Sequence, residues 1–183
     1  MPLIAKQHVT AVLGKARFWF PKQLKVLEYI AGIPEMDTIR NPTAVLAAAP
    51  LRLVLMPRGL AWRMTYRFEE YLFGVAYVAI REIAAELPQV LATSPQQSRW
   101  GRALLGGLVL GPVGALLGGM SGIPEREITE VGDAILLFRL EQAGEEQVVA
   151  ATVRKKHRAR TKRFLLTHYQ QVSPTTILNL TAL

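Results

Sequence analysis

The chain of 183 residues carries a formal net charge of +8, has no cysteine, and half of its residues are hydrophobic. This length fits one domain with appendages, and the hydrophobic content excludes a chain that is disordered throughout. The absence of cysteine excludes disulfides and thiolate metal sites. The first 20 residues lack the uninterrupted apolar core and the cleavage site of a secretory signal, so we expect a cytoplasmic protein.

Residues 1–24 form a basic segment with the pattern of a short amphipathic helix. Apolar side chains recur at helical spacing between Val9 and Phe20, lysine and arginine occupy other positions, and no acid precedes Glu28. Such a helix either packs its apolar side on the rest of the domain or lies on a membrane surface. The sequence alone leaves both interpretations open.

Short strands dominate from residue 25 onward. "KVLEYIAG" (25–32) has the pattern of a first strand, and "LRLVLM" and "LAWRMTY" flank "PRG" (57–59) as the two strands of a hairpin. We expect Trp62 of this hairpin to lie in the core. "YLFGVAYVAI" (71–80) is interpreted as a strand, although the glutamates around it leave a helix over 69–86 open.

A second hairpin and a helix complete the pattern. "DAILLFRLE" and "QVVAATV" flank "QAGEE" (142–146), with Gly144 at the turn. The stretch 154–172 has helical spacing that places Leu165, His168, Tyr169 and Val172 on one face, and Pro174 ends it. Many strands followed by one C-terminal helix predict a β-rich α+β fold.

Three stretches of the chain resemble bacterial pleckstrin-homology-like domain proteins: "KVLEYIAGIPEM", "VAIREIAAELPQV" and "RALLGGLVLGPVGALLGGMSG". They are similar to the family's opening strand, to its isoleucine pattern leading into a strand, and to the glycine-rich segment that follows. The resemblance covers about residues 25–172. It implies a bent seven-stranded sheet, or partly open barrel, capped by the C-terminal helix, and a binding module rather than an enzyme.

The chain also departs from the pattern of that family. The N-terminal 24 residues are additional, and 67–77 is long for a plain strand connection. The eukaryotic phosphoinositide motif is absent from the first hairpin, so phosphoinositide recognition is not expected. We divide the chain into the basic segment 1–24, a pleckstrin-homology-like domain at 25–173 with a glycine-rich insertion at 101–124, and a tail at 174–183.

The glycine-rich insertion contains 22 uncharged residues between Arg102 and Glu125, seven of them glycine, with Pro112 near the middle. It lacks the lysine followed by serine or threonine that a phosphate-binding loop needs after its glycines, and its glycines and proline make it a poor autonomous helix. Small residues recur every four positions in two stripes that allow close packing of backbones. The stripes are Ala103, Gly107, Gly111, Ala115 and Gly119, and Gly114, Gly118 and Gly122.

Three interpretations of this insertion stay open: packing or self-association outside a membrane, insertion into a membrane, and a loop. The insertion resembles a glycine zipper, which is why we expect an oligomer. The basic run that follows it in the chain bears on the choice of partner.

The basic run "RKKHRARTKR" (154–163) contains seven cations and no acid, and these account for all but one of the eight net positive charges. Three interpretations of this run are considered: a solvated helix start without a partner, binding to an anionic membrane surface, and binding to nucleic acid. Each basic residue near an anionic membrane contributes about 1 kcal/mol. Single-stranded nucleic acid also needs interleaved aromatic residues, and only Phe164 is adjacent. The cations are Arg154, Lys155, Lys156, Arg158, Arg160, Lys162 and Arg163.

No catalytic, cofactor-binding or metal-binding constellation is found, because His8, His157 and His168 are scattered along the sequence. We therefore expect a non-enzymatic binding or scaffolding module that self-associates and contacts protein partners or an anionic membrane surface from the cytoplasm. The alternative is an integral membrane or pore-type protein assembled through the glycine-rich insertion. A third candidate is a nucleic-acid-binding accessory protein.

If the first stripe mediates self-association, replacing Gly111 or Ala115 by leucine should lower the particle mass, because a leucine side chain holds the two backbones apart. Light scattering on the purified Gly111→Leu and Ala115→Leu proteins measures this mass. An unaltered mass in both variants would count against self-association through this stripe.

Overall fold

The structure is a computed structural model that describes residues 3–15, 22–39, 50–66, 68–87, 132–142 and 144–183. Its strands and first two helices are, in chain order, β1 (Ile4–Ala5), α1 (Lys6–Leu13), β2 (Gln23–Ala31), α2 (Pro34–Ile39), β3 (Pro50–Leu55), β4 (Gly59–Tyr66), β5 (Glu69–Ala76), β6 (Ile80–Glu86), β7 (Ala134–Gln142), β8 (Glu145–Val153) and β9 (Ile177–Asn179). A 3₁₀ turn, Tyr77–Ala79, separates β5 from β6.

The C-terminal helix spans residues 155–172, between β8 and β9. It begins with a 3₁₀ turn at Lys155–His157 and continues as α-helix over Arg158–Phe164. A π-helical turn at Leu165–Tyr169 and a last α-helical turn at Gln170–Val172 complete it.

The strands form one open sheet in the order β1-β5-β4-β3-β2-β8-β7-β6-β9. Neighbouring strands are antiparallel except β6 and β9, which run parallel. The prediction of an α+β fold that is mostly strands and carries a C-terminal helix is therefore confirmed.

Strand β2 joins the two halves of the sheet. It pairs with β3 from Gln23 and with β8 from Leu27 onward, with a register shift in each pairing. Bulges of this kind bend a strand and increase its twist. The first shift explains why Leu24 and Leu27, three positions apart, are both buried in the same core.

The inner face of the sheet carries the main core. Strand β4 shows the alternation clearly, because Leu60, Trp62 and Met64 are buried while Arg63 between them is exposed. Trp62 is fully buried, as expected, and its ring stands edge-on to Phe138 of β7 with centroids 5.5 Å apart. Leu180 and Ala182, from the segment divided off as a tail, belong to the same core.

Helix α1 packs on the opposite face of the sheet. Its Val9 and Leu13 are fully buried in a second cluster with Val54, Met56 and Ala61. Gly14 ends the helix with φ +84°, and Arg58 donates from its backbone N–H to the carbonyl of Leu13 at 3.1 Å. Of the two interpretations of the N-terminal segment, the described residues show the helix that packs on the domain.

Most predicted elements are confirmed at their expected places. Strand β2 covers the predicted first strand, β3 and β4 form the hairpin around 57–59, and β7 and β8 form the hairpin around 142–146. The C-terminal helix occupies the predicted stretch. Gly144 has φ +80° at the second hairpin turn, a conformation that favours glycine.

Three expectations need correction. The alternative helix over 69–86 is wrong, because β5 pairs with β4 along its whole length and β6 pairs with β7. The strand interpretation of 71–80 is right up to Ala76, where the 3₁₀ turn intervenes. Val172 is 41% exposed rather than on the buried face, because a π-helical turn rotates later residues relative to an α-helical wheel.

The glycine-rich insertion lies outside the described residues, and so do all eight positions of its two stripes. They are Ala103, Gly107, Gly111, Gly114, Ala115, Gly118, Gly119 and Gly122. The sequence places this stretch within the connection between β6 and β7.

Gly32 at the end of β2 should tolerate no side chain. It has φ +103°, and a Cβ there would collide with the backbone carbonyl of Val148. Gly144 is the matched control, because it also has positive φ but meets nothing within 4 Å. We expect Gly32→Ala to lower the free energy of unfolding by about 3 kcal/mol or more and Gly144→Ala by about 1–2 kcal/mol. Urea denaturation measures both, and equal losses would contradict the collision.

Candidate anion-binding groove

The C-terminal helix covers the inner face of the sheet with one of its sides. Thr161, Leu165 and Tyr169 are fully buried, and Phe164 is 8% exposed. These positions recur three or four residues apart, so they share one side of the helix. Every other side of the helix faces away from the core, and that is where its charged residues lie.

Hydroxyl groups fix the end of the helix to the sheet. Thr176 Oγ1 donates to the carbonyl of Ile80 at 3.1 Å, so it accepts from Tyr169 Oη at 3.1 Å and from Ser173 Oγ at 2.8 Å. All three hydroxyl residues are buried. A buried network in which every hydroxyl is satisfied holds its members in one arrangement.

A ring contact adds to this anchor. Tyr77 of the 3₁₀ turn packs edge-on against Tyr169 with centroids 5.8 Å apart, and its hydroxyl donates to the carbonyl of Met56 at 2.8 Å. The last turns of the helix are thereby joined to the β3–β4 hairpin as well as to β6.

The start of the helix is fixed by two carboxylates. Asp133 is 2% exposed, and its Oδ1 accepts a hydrogen bond from the backbone N–H of Lys155 at 2.8 Å. Arg154 forms a two-pronged ion pair with Glu28 of β2, with N···O distances of 2.8 and 3.2 Å. The first cation of the basic run therefore serves the fold, and the helix cannot rotate about its axis without breaking these contacts.

An open groove of about 520 Å³ runs along one solvent-facing side of the helix. We name it the cationic groove, and its lining consists of Lys155, Arg158, Ala159, Lys162, Arg163, Leu166 and Leu183. The positions follow helical spacing, which explains how a run that is basic nearly all round the helix places four cations beside one depression.

Main-chain oxygens hold two of these cations in place, and a packing contact restricts a third. Arg158 Nη1 donates to the carbonyl of Gly132 at 3.0 Å, and Lys162 Nζ donates to a main-chain oxygen of Leu183, the last residue of the sequence, at 3.2 Å. The Lys155 side chain lies against Gly132, since a Cβ there would be 2.9 Å from Lys155 Cδ. The carbonyl dipole of Gly132 orients the Arg158 guanidinium without neutralising its charge.

Within the described residues, no aspartate or glutamate side chain forms an ion pair with any cation of the groove. The ion pairs found there are Arg63–Glu70, Arg81–Glu141, Arg139–Glu82, Arg139–Glu146 and Arg154–Glu28. The nearest recorded carboxylate contact is that of Asp133 with the Lys155 backbone. Four positively charged side chains beside an open groove make it a candidate site for an anion.

The seven predicted cations thus separate into three groups. Lys155, Arg158, Lys162 and Arg163 line the groove, and Arg154 is paired with Glu28. Lys156 and Arg160 are exposed but outside its lining. No local sequence pattern predicts that Leu183 lines the groove. Leu166 follows Lys162 by four positions, so a helical wheel is enough to place it beside the cations.

Comparison of the chain with protein-family models, with curated proteins and with solved structures gives no match. In the part of the chain that the structure describes, no helix is both long and apolar enough to cross a membrane. The same residues contain no group of three or more histidine, aspartate or glutamate side chains placed to hold a metal ion.

The tyrosines that anchor the helix should make stability fall at high pH. Burial raises the pKa of Tyr77, with a further contribution from Tyr169, and burial also raises the pKa of Tyr169 against the opposing effect of its hydrogen bonds. The unfolded chain releases these protons near pH 10.0 while the folded chain keeps them. Stability is therefore fully present below that pH and declines above it.

Each tyrosine should contribute a decline of up to about 1.4 kcal/mol per pH unit above its unfolded pKa. Urea denaturation from neutral pH to about pH 11 measures the slope, and Tyr77→Phe should reduce it. Phenolate absorbance that appears for Tyr77 and Tyr169 at the pH of a free tyrosine, with the protein still folded, would contradict the burial effect.

Proposed function

We propose that the protein is a non-catalytic binding module of pleckstrin-homology-like fold that attaches to an anionic membrane surface through the cationic groove. The observation that carries this proposal is the set of four cations around the groove, none of which pairs with an aspartate or glutamate in the described residues. The module would act from the cytoplasm, at the periphery of the membrane.

The sheet supports the pleckstrin-homology-like part of the proposal. Strands β2 to β8 are seven consecutive strands, β2 is bent by two register shifts, and the helix that follows covers their inner face. The resemblance implies this count and this cap. It also implies a glycine-rich segment after the strand in "VAIREIAAELPQV", and that strand is β6.

The composition of the groove favours a membrane over nucleic acid. Phe164, the one aromatic residue next to the basic run, is buried in the core and cannot stack on a base. The groove instead offers Leu166, which is 46% exposed. Four cations near an anionic surface contribute about 4 kcal/mol together, which gives reversible attachment.

Self-association through the small-residue stripes remains a second part of the proposal, and integral membrane assembly through residues 101–124 remains its alternative. Both depend on residues outside the described ones. A protein that stays in the membrane pellet after high salt and alkaline washes would favour the integral alternative over peripheral attachment.

Charge-reversal variants distinguish binding through the groove from a general effect of net charge. The variant Arg158→Glu/Lys162→Glu changes two groove cations, and Lys156→Glu/Arg160→Glu makes the same charge change on the other exposed flank. With vesicles of phosphatidylglycerol and phosphatidylcholine, the groove variant should lose affinity by about tenfold or more, and the control by about threefold or less. Sedimentation of protein with vesicles measures this, after denaturation curves have shown that both variants fold. Equal losses would reduce the effect to net charge, and undiminished binding by the groove variant would overturn the proposal.

A further inference from the structure

The groove has a charged end and an apolar end, and this division points to a particular kind of ligand. Lys155 and Arg158 begin it, and Leu166 ends it, so the lining extends over about 16 Å of helix. A free anion would use only the charged end. A lipid that carries an anionic headgroup would use both.

Two cations of the charged end contact the same residue, Gly132. The Lys155 side chain lies against Gly132, and Arg158 Nη1 donates to the carbonyl of the same residue. Lys162 is tethered one turn further along the helix by a main-chain oxygen of Leu183. Because their rotamers are already restricted, these side chains lose less entropy when a ligand binds than free surface cations would.

Each tethered cation keeps donors for a ligand. The guanidinium of Arg158 has five N–H donors, and one of them donates to Gly132 among the described residues. The ammonium of Lys162 has three donors, and one of them donates to Leu183. A phosphate monoester offers three acceptor oxygens and a charge between −1.5 and −2 at neutral pH, whereas a diester carries a single charge. Several cations that line one groove therefore favour the monoester.

The apolar end supplies a complementary contact. Leu166 is 46% exposed on the helix, Ala159 is exposed beside the cations, and Leu183 lies partly buried across the groove. We propose that the cationic groove binds one phospholipid whose headgroup is a phosphate monoester, with the phosphate between Lys155, Arg158 and Lys162 and the acyl chain beside Leu166. This inference rests on the proposed function and makes it specific.

The test uses a short-chain phosphatidic acid below its micelle concentration, with inorganic phosphate as the headgroup alone. Calorimetry on the full chain should show the lipid binding about tenfold or more tightly than phosphate. Leu166→Ser should weaken the lipid by about five- to tenfold and leave phosphate unchanged. Val172→Ser is the matched control, because Val172 is an exposed aliphatic residue of the same helix outside the groove lining, and it should change neither affinity.

Arg158→Gln should weaken both ligands, because it removes the charge that they share. Vesicles that contain phosphatidic acid or phosphatidylglycerol at equal surface charge provide a further comparison, in which the monoester should bind several-fold more tightly.

Equal binding to the two vesicle types, or no binding of the short-chain lipid while anionic vesicles still bind, would overturn the single-lipid site and leave the proposed function standing. Equal losses of lipid affinity in Leu166→Ser and Val172→Ser would overturn the acyl contact. Loss of all binding to anionic vesicles by the unaltered protein would overturn the proposed function as well.

Discussion

An open sheet with an apolar inner face needs a cover, and the rest of this structure depends on how the C-terminal helix provides it. Phe164, Leu165 and Tyr169 enter the same core as Trp62 and Phe138. Each large apolar side chain that becomes fully buried contributes about 1.5–3 kcal/mol. Because this side of the helix packs on the sheet, its cations can lie only on the remaining sides. Burial of the core thus decides where the positive charge is exposed.

The helix is also fixed at both ends, which keeps the groove in one geometry. Asp133 holds the first turn through the backbone of Lys155, and Thr176 holds the last turn through Tyr169 and the carbonyl of Ile80. Rotation of the helix would break both contacts and expose the core. The cations therefore keep their positions relative to Gly132, which lies just before β7, and relative to Leu183. A rigid element that presents oriented donors binds more favourably than the same charges on a loop.

Local pattern was enough to predict most strands and the C-terminal helix, because turn residues and side-chain alternation act over short distances. The pattern could not predict the break between β5 and β6, since apolar residues run through the 3₁₀ turn at Tyr77. The sequence pattern identified the basic run, but not which of its cations line the groove and which pair with other residues. That division depends on which side of the helix is buried and on partners distant in sequence, such as Glu28, which lies 126 positions before Arg154. Leu183 contributes to the groove only because the end of the chain folds back along the helix.

The central claim is that the lined side of the C-terminal helix, and no other side, contacts the membrane. Because the chain has no cysteine, a single thiol can be introduced at Ala159 in the groove or at Thr167, which is exposed outside its lining. Each variant would carry an environment-sensitive fluorophore and be mixed with anionic vesicles. The account predicts a blue shift and increased emission for the label at position 159 and little change at 167. Equal changes at both positions, or a change at 167 alone, would contradict it.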